Sequence, residues 1–355
     1  MDIHTIAIQQ RIDWLIDLAC RYSEKFQRPE AQLERSRYLS EHPTAIVVFT
    51  CMDGRLNVPV ATNTPDGITL SFRNLDGRFD LGWPNLGRVL TKLVDGLASQ
   101  GRPALMLVMY HYSKGNPRRG CRGFNDTYLA RTHMYNIRRQ IETVFRTDHC
   151  PVYPLVCGFE TDEGTLVLHG SSGNVLDLSL ISPIDQATLP ARVAQLYPDM
   201  PDLMRQDLLP LVKGNIAHIA DIKQVRQEYS AEHHEWMIGI GRGFDWLYMP
   251  DQALIIGPYS PDLTDPIRKA AGIIDANMRA GRIPDDGFLV LTEETYQEIS
   301  GNRTNAELRS RFLSEFAAKI IRTDFPKLAD KMHVRTTVLN SQSRAITSGF
   351  SRSCI

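Results

Sequence analysis

Two long apolar runs stand out in the pattern of hydrophobic and polar positions, and each ends in residues that carry chemistry. The runs cover residues 45–50 and 104–110, and their length and composition are typical of buried strands in a parallel sheet. An alternating pattern at residues 68–72 predicts a further strand, and a helical pattern follows at residues 86–100. A Gly-Arg-Pro turn at residues 101–103 then leads into the second run. This β-α-β order predicts right-handed crossovers and a parallel sheet.

Helical patterns lie on both sides of this core. Apolar residues recur at helical spacing through residues 1–40, with a second helical piece at 31–39. Such helices either pack on their own domain or lie against a partner subunit, and the pattern does not separate these two. The remaining patterns up to residue 232 predict loop and turn at 58–66, a helix ending near 145, and strands at 152–158 and 164–169. Loop and helix are predicted at 175–232, because prolines at 183, 190, 198, 201 and 210 interrupt the periodicity there.

The C-terminal part repeats the order of the first part in a degenerate form. Residues 235–245 read like the first apolar run and its loop, but they contain no cysteine. The segments that then correspond are a helix at 267–280, a Gly-Arg turn at 281–282, a strand at 288–292 that ends at Glu293 and Glu294, a polar loop at 300–303 and a helix at 305–321. The order of helix, turn, strand, polar loop and helix therefore occurs twice, which indicates an internal duplication.

These patterns predict an α/β protein with mostly parallel sheet flanked by helices and a degenerate second copy. The domain prediction has N-terminal helices at residues 1–40 and a catalytic domain at 41–175. A connecting segment of helix and loop follows at 176–232, and the degenerate repeat covers 233–355. A chain of 355 residues is long enough for one large or two ordinary domains with a substantial core.

The first run ends in a thiol, an acid and a base at alternate positions: Cys51, Asp53 and Arg55. In extended backbone, side chains at alternate positions project from the same side. These three residues are therefore expected to face one cleft at the carboxyl end of a strand, where open α/β sheets bind ligands.

The second run ends at His111, and a polar loop rich in glycine and arginine leads from it to Cys121. Two thiolates and an imidazole near the ends of adjacent strands form a ligand set suited to zinc. Three protein ligands leave a fourth tetrahedral position for water, as in catalytic rather than structural zinc sites. Cys51, His111 and Cys121 are thus the predicted Zn²⁺ ligands.

The order of these motifs resembles that of β-class carbonic anhydrases. The sequence Cys51-x-Asp53-x-Arg55, the strand-end His111 and the later Cys121 carry the resemblance, together with Arg73-Asn74, which is similar to the Arg-Asn active-site loop of that class. The ten-residue step from the histidine to the second cysteine resembles the divergent carboxysome shell carbonic anhydrases. Further stretches similar to that family are residues 110–113, Gly120-Cys121, Asn125-Asp126, 158–162 and 240–245, so the resemblance spans residues 45–330. The family looks like an internally duplicated β-class dimer that keeps one site per chain, which fits the repeat described above.

The resemblance implies a zinc-dependent lyase that hydrates CO2 reversibly to bicarbonate and a proton by means of zinc-bound hydroxide. Zinc lowers the pKa of its bound water from 15.7 toward roughly 7. By analogy with the β class and from side-chain reach, Asp53 is the expected proton acceptor. Arg55 pairs with Asp53 and keeps it ionised and away from the metal. The resemblance also places Arg73 and Asn74 in the substrate pocket.

The resemblance further implies a homodimer or a larger homo-oligomer, with CO2 and bicarbonate as the small-molecule partners. The carboxysomal enzymes carry a sizeable N-terminal domain before the catalytic strand, whereas about 40 residues precede it here. The expectation is therefore a bacterial cytoplasmic protein, and association with a carboxysome shell or with Rubisco is an alternative that the short N-terminal segment does not support.

Composition excludes several other classes. Lys and Arg number 40 against 41 Asp and Glu, so the charge suggests neither a nucleic-acid partner nor an anionic membrane. No run approaches the ~20 apolar residues of a membrane span, and the start of the chain lacks the pattern of a signal peptide. Six cysteines do not form a disulfide framework, and two committed thiolates fit a reducing compartment.

Two other functions remain open from the sequence. The same fold and ligands suit a zinc hydrolase of carbon disulfide or carbonyl sulfide, because selectivity between such substrates depends on pocket width and access. A non-catalytic, carboxysome-associated zinc protein is the second alternative. The Asp53-Arg55 pair argues against it, since a purely structural zinc site does not need that pair.

Overall fold

The computed structural model describes residues 2–115, 120–121, 124, 126–145, 151–225, 233–247, 251–298 and 302–348. Its contacts divide the chain into two compact units. The central unit comprises Glu34–Cys51 and Leu56–Ala231, and the C-terminal unit comprises Met1–Leu33, Met52–Arg55 and Glu232–Ile355. The segment Met52–Arg55 therefore belongs to a different unit from the cysteine that precedes it.

Strands and helices alternate through most of the chain. The strands are β1 (Ala45–Cys51), β2 (Thr69–Asn74), β3 (Ala104–Tyr112), β4 (Val152–Glu160), β5 (Thr165–His169), β6 (Val175–Asp177), β7 (Met237–Gly241), β8 (Ala253–Ile256), β9 (Phe288–Tyr296), β10 (Met332–Asn340) and β11 (Ile346–Ser348). The helices are α1 (Ile8–Gln27), α2 (Pro29–Glu41), α3 (Val58–Ala61), α4 (Pro84–Ala98), α5 (Thr127–Phe145), α6 (Leu189–Leu196), α7 (Asp202–Val225), α8 (Thr264–Arg279), α9 (Asn302–Asp324) and α10 (Pro326–Ala329).

The sheet of the central unit has the order β2-β1-β3-β4-β5-β6. Its first four strands are parallel, and β5 and β6 are antiparallel additions at one edge. Every residue of β1 is buried, as is every residue of β3 up to His111. Continuous apolar strands of this kind are typical of parallel sheets whose two faces are covered by helices. The carboxyl ends of β1 and β3 consequently lie side by side in the middle of the sheet.

The C-terminal unit has its own sheet, with the order β11-β10-β9-β7-β8. All of its strand pairs are parallel except β10 with β11. The protein thus contains two mostly parallel sheets flanked by helices, which confirms the predicted α/β class.

The repeated order of elements is present in both units. In the central unit α4, a turn, β3 and α5 follow one another, and in the C-terminal unit α8, a turn, β9 and α9 do the same. Each turn has a glycine just past the end of its helix with a left-handed backbone, Gly101 at φ +66° and Gly281 at φ +67°. Glycine adopts this conformation without a steric penalty, so both turns end a helix by the same device.

Several local predictions were wrong, each for an identifiable reason. The loop predicted at residues 58–66 begins with the short helix α3, because the side chain of Asn57 accepts a hydrogen bond from the backbone nitrogen of Val60 and caps it. Pro210 lies inside α7 rather than ending it, since buried contacts of that helix outweigh the lost hydrogen bond. Strand β9 continues through Glu293 and Glu294 because its ladder with β10 extends to Tyr296.

The N-terminal helical region begins later than predicted. Residues 2–7 are not helical, and α1 starts at Ile8, whose backbone nitrogen donates to a carboxylate oxygen of Asp286 at 2.7 Å. Among the described residues, no helix is both long and apolar enough to cross a bilayer.

Candidate metal centre

The three predicted ligands meet in the central unit. Cys51 is the last residue of β1, and His111 is the last residue but one of β3. Cys121 follows the loop after β3, and its backbone nitrogen donates to the carbonyl of His111 at 3.4 Å. One ligand atom from each of the three lies within 4.8 Å of the other two. All three residues are buried, with 5%, 2% and 6% of their surface exposed.

The donor set fits a soft divalent cation. Burial raises the pKa of Cys121 well above the usual value of a thiol, and a hydrogen bond and electrostatic repulsion with Cys51 raise it further. Two adjacent buried thiolates are therefore unfavourable without a compensating positive charge. Ligand atoms around one tetrahedral zinc lie roughly 3.5 to 4 Å apart, which the observed cluster can reach with small side-chain movements. The residues thus fit a metal ion, with zinc as the ion that the ligand types favour.

Two acidic residues, one at the end of β4 and one just after it, hold the loop that follows His111. Glu160 is fully buried, and its carboxylate accepts hydrogen bonds from the backbone nitrogens of Lys114, Asp162 and Glu163 at 2.9–3.1 Å. Burial raises the pKa of Glu160, and these backbone donors oppose that rise. Asp162 in turn accepts from the hydroxyl of Ser113 at 2.9 Å and from the backbone nitrogen of Gly115 at 2.8 Å. The start of the loop between His111 and Cys121 is therefore fixed by charge-assisted hydrogen bonds.

Asp53 and Arg55 form a buried ion pair in the C-terminal unit. The Nε of Arg55 donates to Oδ1 of Asp53 at 3.0 Å, and its Nη2 donates to Oδ2 at 2.6 Å. The backbone nitrogen of Arg55 also donates to Oδ1, at 2.9 Å. Burial alone lowers the pKa of Arg55, but the carboxylate of Asp53 outweighs it and raises that pKa. The pair is bidentate, which orients the carboxylate as well as neutralising it.

Three further titratable groups surround this pair within the C-terminal unit. Glu235 is fully buried, and both of its carboxylate oxygens lie 2.9–3.0 Å from Nδ1 of His233. Burial opposes ionisation of Glu235, but His233 lowers its pKa below the usual value. Burial raises the pKa of Asp251 to about 8, with further contributions from Glu235 and Asp53. One ligand atom each from Asp53, His233 and Glu235 lies within 4.8 Å of the other two.

The two residues predicted for the substrate pocket contact backbone groups in the central unit. Nη2 of Arg73 donates to the carbonyl of Leu56. The amide nitrogen of Asn74 donates to the carbonyl of Arg78 at 2.7 Å and so braces the turn at Leu75–Gly77. A role of Arg73 and Asn74 in binding substrate stays a prediction.

Of the other cysteines that the structure describes, Cys20 and Cys157 are not part of the cluster. Cys157 is a buried free thiol, and burial raises its pKa to about 12. Cys20 is disulfide-bonded, which differs from what a reducing compartment favours. Cys150, Cys354 and Asn125 lie outside the described residues.

The sequence analysis assigned no role to the residues that support the three-residue cluster and the ion pair. Glu160 and Asp162 stood in a stretch noted only for its family resemblance. No sequence pattern indicated that His233, Glu235 and Asp251 lie beside Asp53. These residues are almost 200 positions away from Asp53 in the chain, so their proximity depends on the tertiary fold.

Comparison with known proteins adds little to this description. No protein-family model matches the sequence, and no curated protein matches it. Among solved structures, the chain is similar to the beta-carbonic anhydrase CcaA, with 13% identity and a TM-score of 0.32, over 48% of this chain and 91% of that one. A similarity this low carries no argument, so the case for function depends on the residues themselves.

Proposed function

We propose that this protein is a zinc-dependent carbonic anhydrase that hydrates CO2 reversibly to bicarbonate. The observation that carries the proposal is the buried cluster of Cys51 and His111, near the ends of two adjacent parallel strands, with Cys121 from the loop that follows. The motif order in the sequence, with Asp53 and Arg55 at two and four positions after the first cysteine, supports the same conclusion.

In this proposal Cys51, His111 and Cys121 hold the ion. When bound, zinc acidifies water and so supplies hydroxide near neutral pH. The loop anchored by Glu160 keeps His111 and Cys121 in fixed positions relative to each other. Outer-shell hydrogen bonds orient the ligands in the same way in other metal sites.

Asp53 acts in the proposal as the hydrogen-bond acceptor that orients the attacking water and takes its proton. Oδ1 of Asp53 accepts from two nitrogens of Arg55 and Oδ2 accepts from one, so the proposal assigns the water to Oδ2, because each carboxylate oxygen has two lone pairs. Arg55 holds the carboxylate ionised and in one orientation, and burial of the pair excludes competing water, which strengthens these electrostatic contacts.

The test is stopped-flow CO2 hydration with a pH indicator between pH 6.5 and 9, on reduced, zinc-loaded protein of measured metal content. We expect turnover that rises with pH. Cys121→Ser should lose both metal and turnover, whereas the matched control Cys157→Ala, a buried free thiol outside the cluster, should keep both. Asp53→Asn should keep the metal and lose most of the turnover.

The alternatives are separated by the same preparation. Zinc-bound protein that hydrolyses carbon disulfide or carbonyl sulfide without hydrating CO2 would contradict the proposal. So would zinc-bound protein with no turnover on any of these substrates, which would indicate a structural site. The homodimer, the cytoplasmic or carboxysomal location and the absence of nucleic-acid and membrane partners stay predictions, to be tested by light scattering and fractionation.

A further inference from the structure

A pocket of about 690 Å³ lies within the central unit, and none of the described residues that line it is a predicted metal ligand. The loop at residues 79–82, which precedes α4, forms one side of the pocket. One face of α5 between residues 133 and 144 forms the other side. This volume lies in the range of pockets that bind small organic molecules, so the polar groups in the pocket indicate which kind of molecule it takes.

Two amide side chains in the pocket already use their oxygen atoms within the protein. Oδ1 of Asn136 accepts a hydrogen bond from Nη2 of Arg139. Oε1 of Gln140 accepts from the backbone nitrogen of Leu81 at 2.8 Å. Because an amide side chain carries one acceptor and one NH2 group, these contacts fix which end of each amide remains. Asn136 and Gln140 therefore have their NH2 donors left for a ligand.

Arg139 and His133 add further donors to the pocket. The guanidinium of Arg139 carries five N–H groups, of which Asn136 accepts one. Nε2 of His133 is buried and has no hydrogen-bond partner in the part of the chain that the structure describes. Burial and the nearby Arg78 lower the pKa of His133, so the imidazole is neutral at neutral pH and can present one N–H. A set of donors of this kind suits a negatively charged group that accepts several hydrogen bonds.

The charges that line the pocket favour a ligand with one negative charge. Arg139 contributes a positive charge, and Asp80 contributes a negative charge from the loop side. Oδ1 of Asp80 accepts from the backbone nitrogen of Gly82 at 2.8 Å, which holds this carboxylate on its own loop. A doubly charged phosphate ester is repelled by Asp80 more strongly than a carboxylate is. A single carboxylate also matches the planar guanidinium of Arg139.

Apolar side chains line the rest of the pocket: Phe79, Leu81 and Val144. Phe79 is buried and Leu81 is half-buried, whereas Val144 is 53% exposed. Ligand pockets combine apolar walls of this kind with a few polar groups that fix orientation. The lining therefore fits a molecule that has an apolar body and a carboxylate at one end.

We propose that this pocket binds a small monocarboxylic acid with an aromatic or aliphatic body. Arg139 and the NH2 groups of Asn136 and Gln140 hold the carboxylate, and the body lies against Leu81 and Val144. All of these residues belong to the central unit. The proposal goes beyond the proposed function and does not depend on it.

Isothermal titration calorimetry of the zinc-loaded protein tests the ligand class with phenylacetate, hexanoate, phenylacetamide, acetate and phenyl phosphate. We expect phenylacetate and hexanoate to bind with a Kd of roughly 1 mM or below. Phenylacetamide lacks the charge and acetate lacks the apolar body, so each should bind at least about tenfold more weakly than phenylacetate. Phenyl phosphate should also bind more weakly. Equal binding of phenylacetate and its amide, tighter binding of phenyl phosphate, or no binding of either acid would overturn the proposal.

Two variants test whether the acid binds in this pocket. Arg139→Gln removes the guanidinium and should weaken phenylacetate binding about tenfold or more. Gln140→Glu keeps an acceptor for the backbone nitrogen of Leu81 but replaces the NH2 donor with an oxygen that repels the ligand, so a loss of similar size is expected. Asp80→Asn removes a repelling charge and should tighten binding about two- to fivefold.

Arg88→Gln is the matched control for Arg139→Gln. Arg88 lies on α4 outside the pocket, and its Nη2 donates to Oδ1 of Asn85 at 3.0 Å, three positions earlier in the helix, as Arg139 does to Asn136. Its substitution should leave phenylacetate affinity unchanged, and thermal unfolding of every variant checks that the fold is kept. If Arg139→Gln and Gln140→Glu bind phenylacetate as tightly as Arg88→Gln does, the acid binds elsewhere, such as at the metal ion, and the proposal is overturned.

Discussion

The backbone nitrogen of Ile255 donates a hydrogen bond of 2.9 Å to the carbonyl of Met52. A second contact, from the nitrogen of Asp251 to the carbonyl of Gly54 at 3.4 Å, extends this pairing. The segment that carries Asp53 and Arg55 is thus fixed to the edge of β8, which lies far away along the chain. The C-terminal unit thus provides the strand to which the segment of the ion pair is hydrogen-bonded.

Gly54 should tolerate no side chain, because a β-carbon there would lie 2.5 Å from the carbonyl oxygen of Ala253. That oxygen belongs to the backbone of β8 and cannot move aside without disturbing the sheet. We expect Gly54→Ala to reduce the free energy of unfolding by about 1–3 kcal/mol and CO2 hydration by tenfold or more, roughly 1.4 kcal/mol in the barrier, while metal content stays unchanged.

The matched control for Gly54→Ala is Gly96→Ala. Gly96 lies inside α4, and apart from its chain neighbours and the backbone of its own helix no atom lies within 4 Å of the position that a β-carbon would take there. Alanine should therefore stabilise the protein by about 0.5–1 kcal/mol through helix propensity. Urea unfolding measures the stability of both variants, and stopped-flow assays measure their CO2 hydration. Parental stability and activity in Gly54→Ala would show that the loop is not held as described.

Glu160→Gln should weaken metal binding without removing a ligand. The carboxylate accepts from the backbone nitrogen of Lys114, in the loop after His111, and from those of Asp162 and Glu163, in the turn after β4. An amide presents one oxygen and a repelling NH2 group in its place. We expect a 10–100-fold loss of metal affinity, roughly the effect of losing an outer-shell partner in other metal sites. Competition with a chelator measures it, and the absorption of the Co²⁺-substituted protein reports the thiolate ligands directly.

Glu163→Gln provides the comparison for Glu160→Gln. The side chain of Glu163 is 37% exposed and lies 3.9 Å from Lys223, a surface ion pair of little energetic value. Its substitution should leave metal affinity unchanged. Equal affinities for all three proteins would refute the role of Glu160.

The elements that could be predicted from the sequence are those with a local signal. The continuous apolar runs of β1 and β3, and the positions of Cys51 and His111 near their ends, could be predicted from strand periodicity and residue chemistry alone. The cap that Asn57 gives α3 and the tolerance of Pro210 inside α7 depend on side-chain geometry and burial that short patterns do not carry. The groups around Asp53 were beyond prediction because residues far apart in the chain meet there.

Asn215 should be essential for the stability of the central unit. Its side chain is fully buried. It accepts from the nitrogen of Leu166 at 2.9 Å and donates to the carbonyls of Ala61 and Gly164 at 2.8 Å each, and it thereby joins α7 to α3 and to the β4–β5 turn. Asn215→Ala leaves these buried groups unpaired, which should cost about 2–4 kcal/mol in the free energy of unfolding. Urea denaturation should show no such loss for the exposed Asn174→Ala, and comparable losses in both variants would contradict this account.

Glu293 should make the protein less stable as the pH rises. Its carboxyl is fully buried in the C-terminal unit and accepts a hydrogen bond from the indole of Trp246 at 2.8 Å. Burial raises its pKa to about 8, although the Trp246 hydrogen bond opposes the rise. Between about pH 4.5 and 8 the folded protein holds this proton and the unfolded chain does not. The free energy of unfolding therefore falls as the pH rises across that window, by up to about 1.4 kcal/mol per pH unit, and it levels off above the window.

Glu293→Gln keeps an acceptor for Trp246 and removes the titration. Urea unfolding at pH 5, 6.5 and 8 should therefore show that the variant gains stability relative to the parent as the pH rises. A constant difference at all three pH values would show that Glu293 is already ionised in the folded protein.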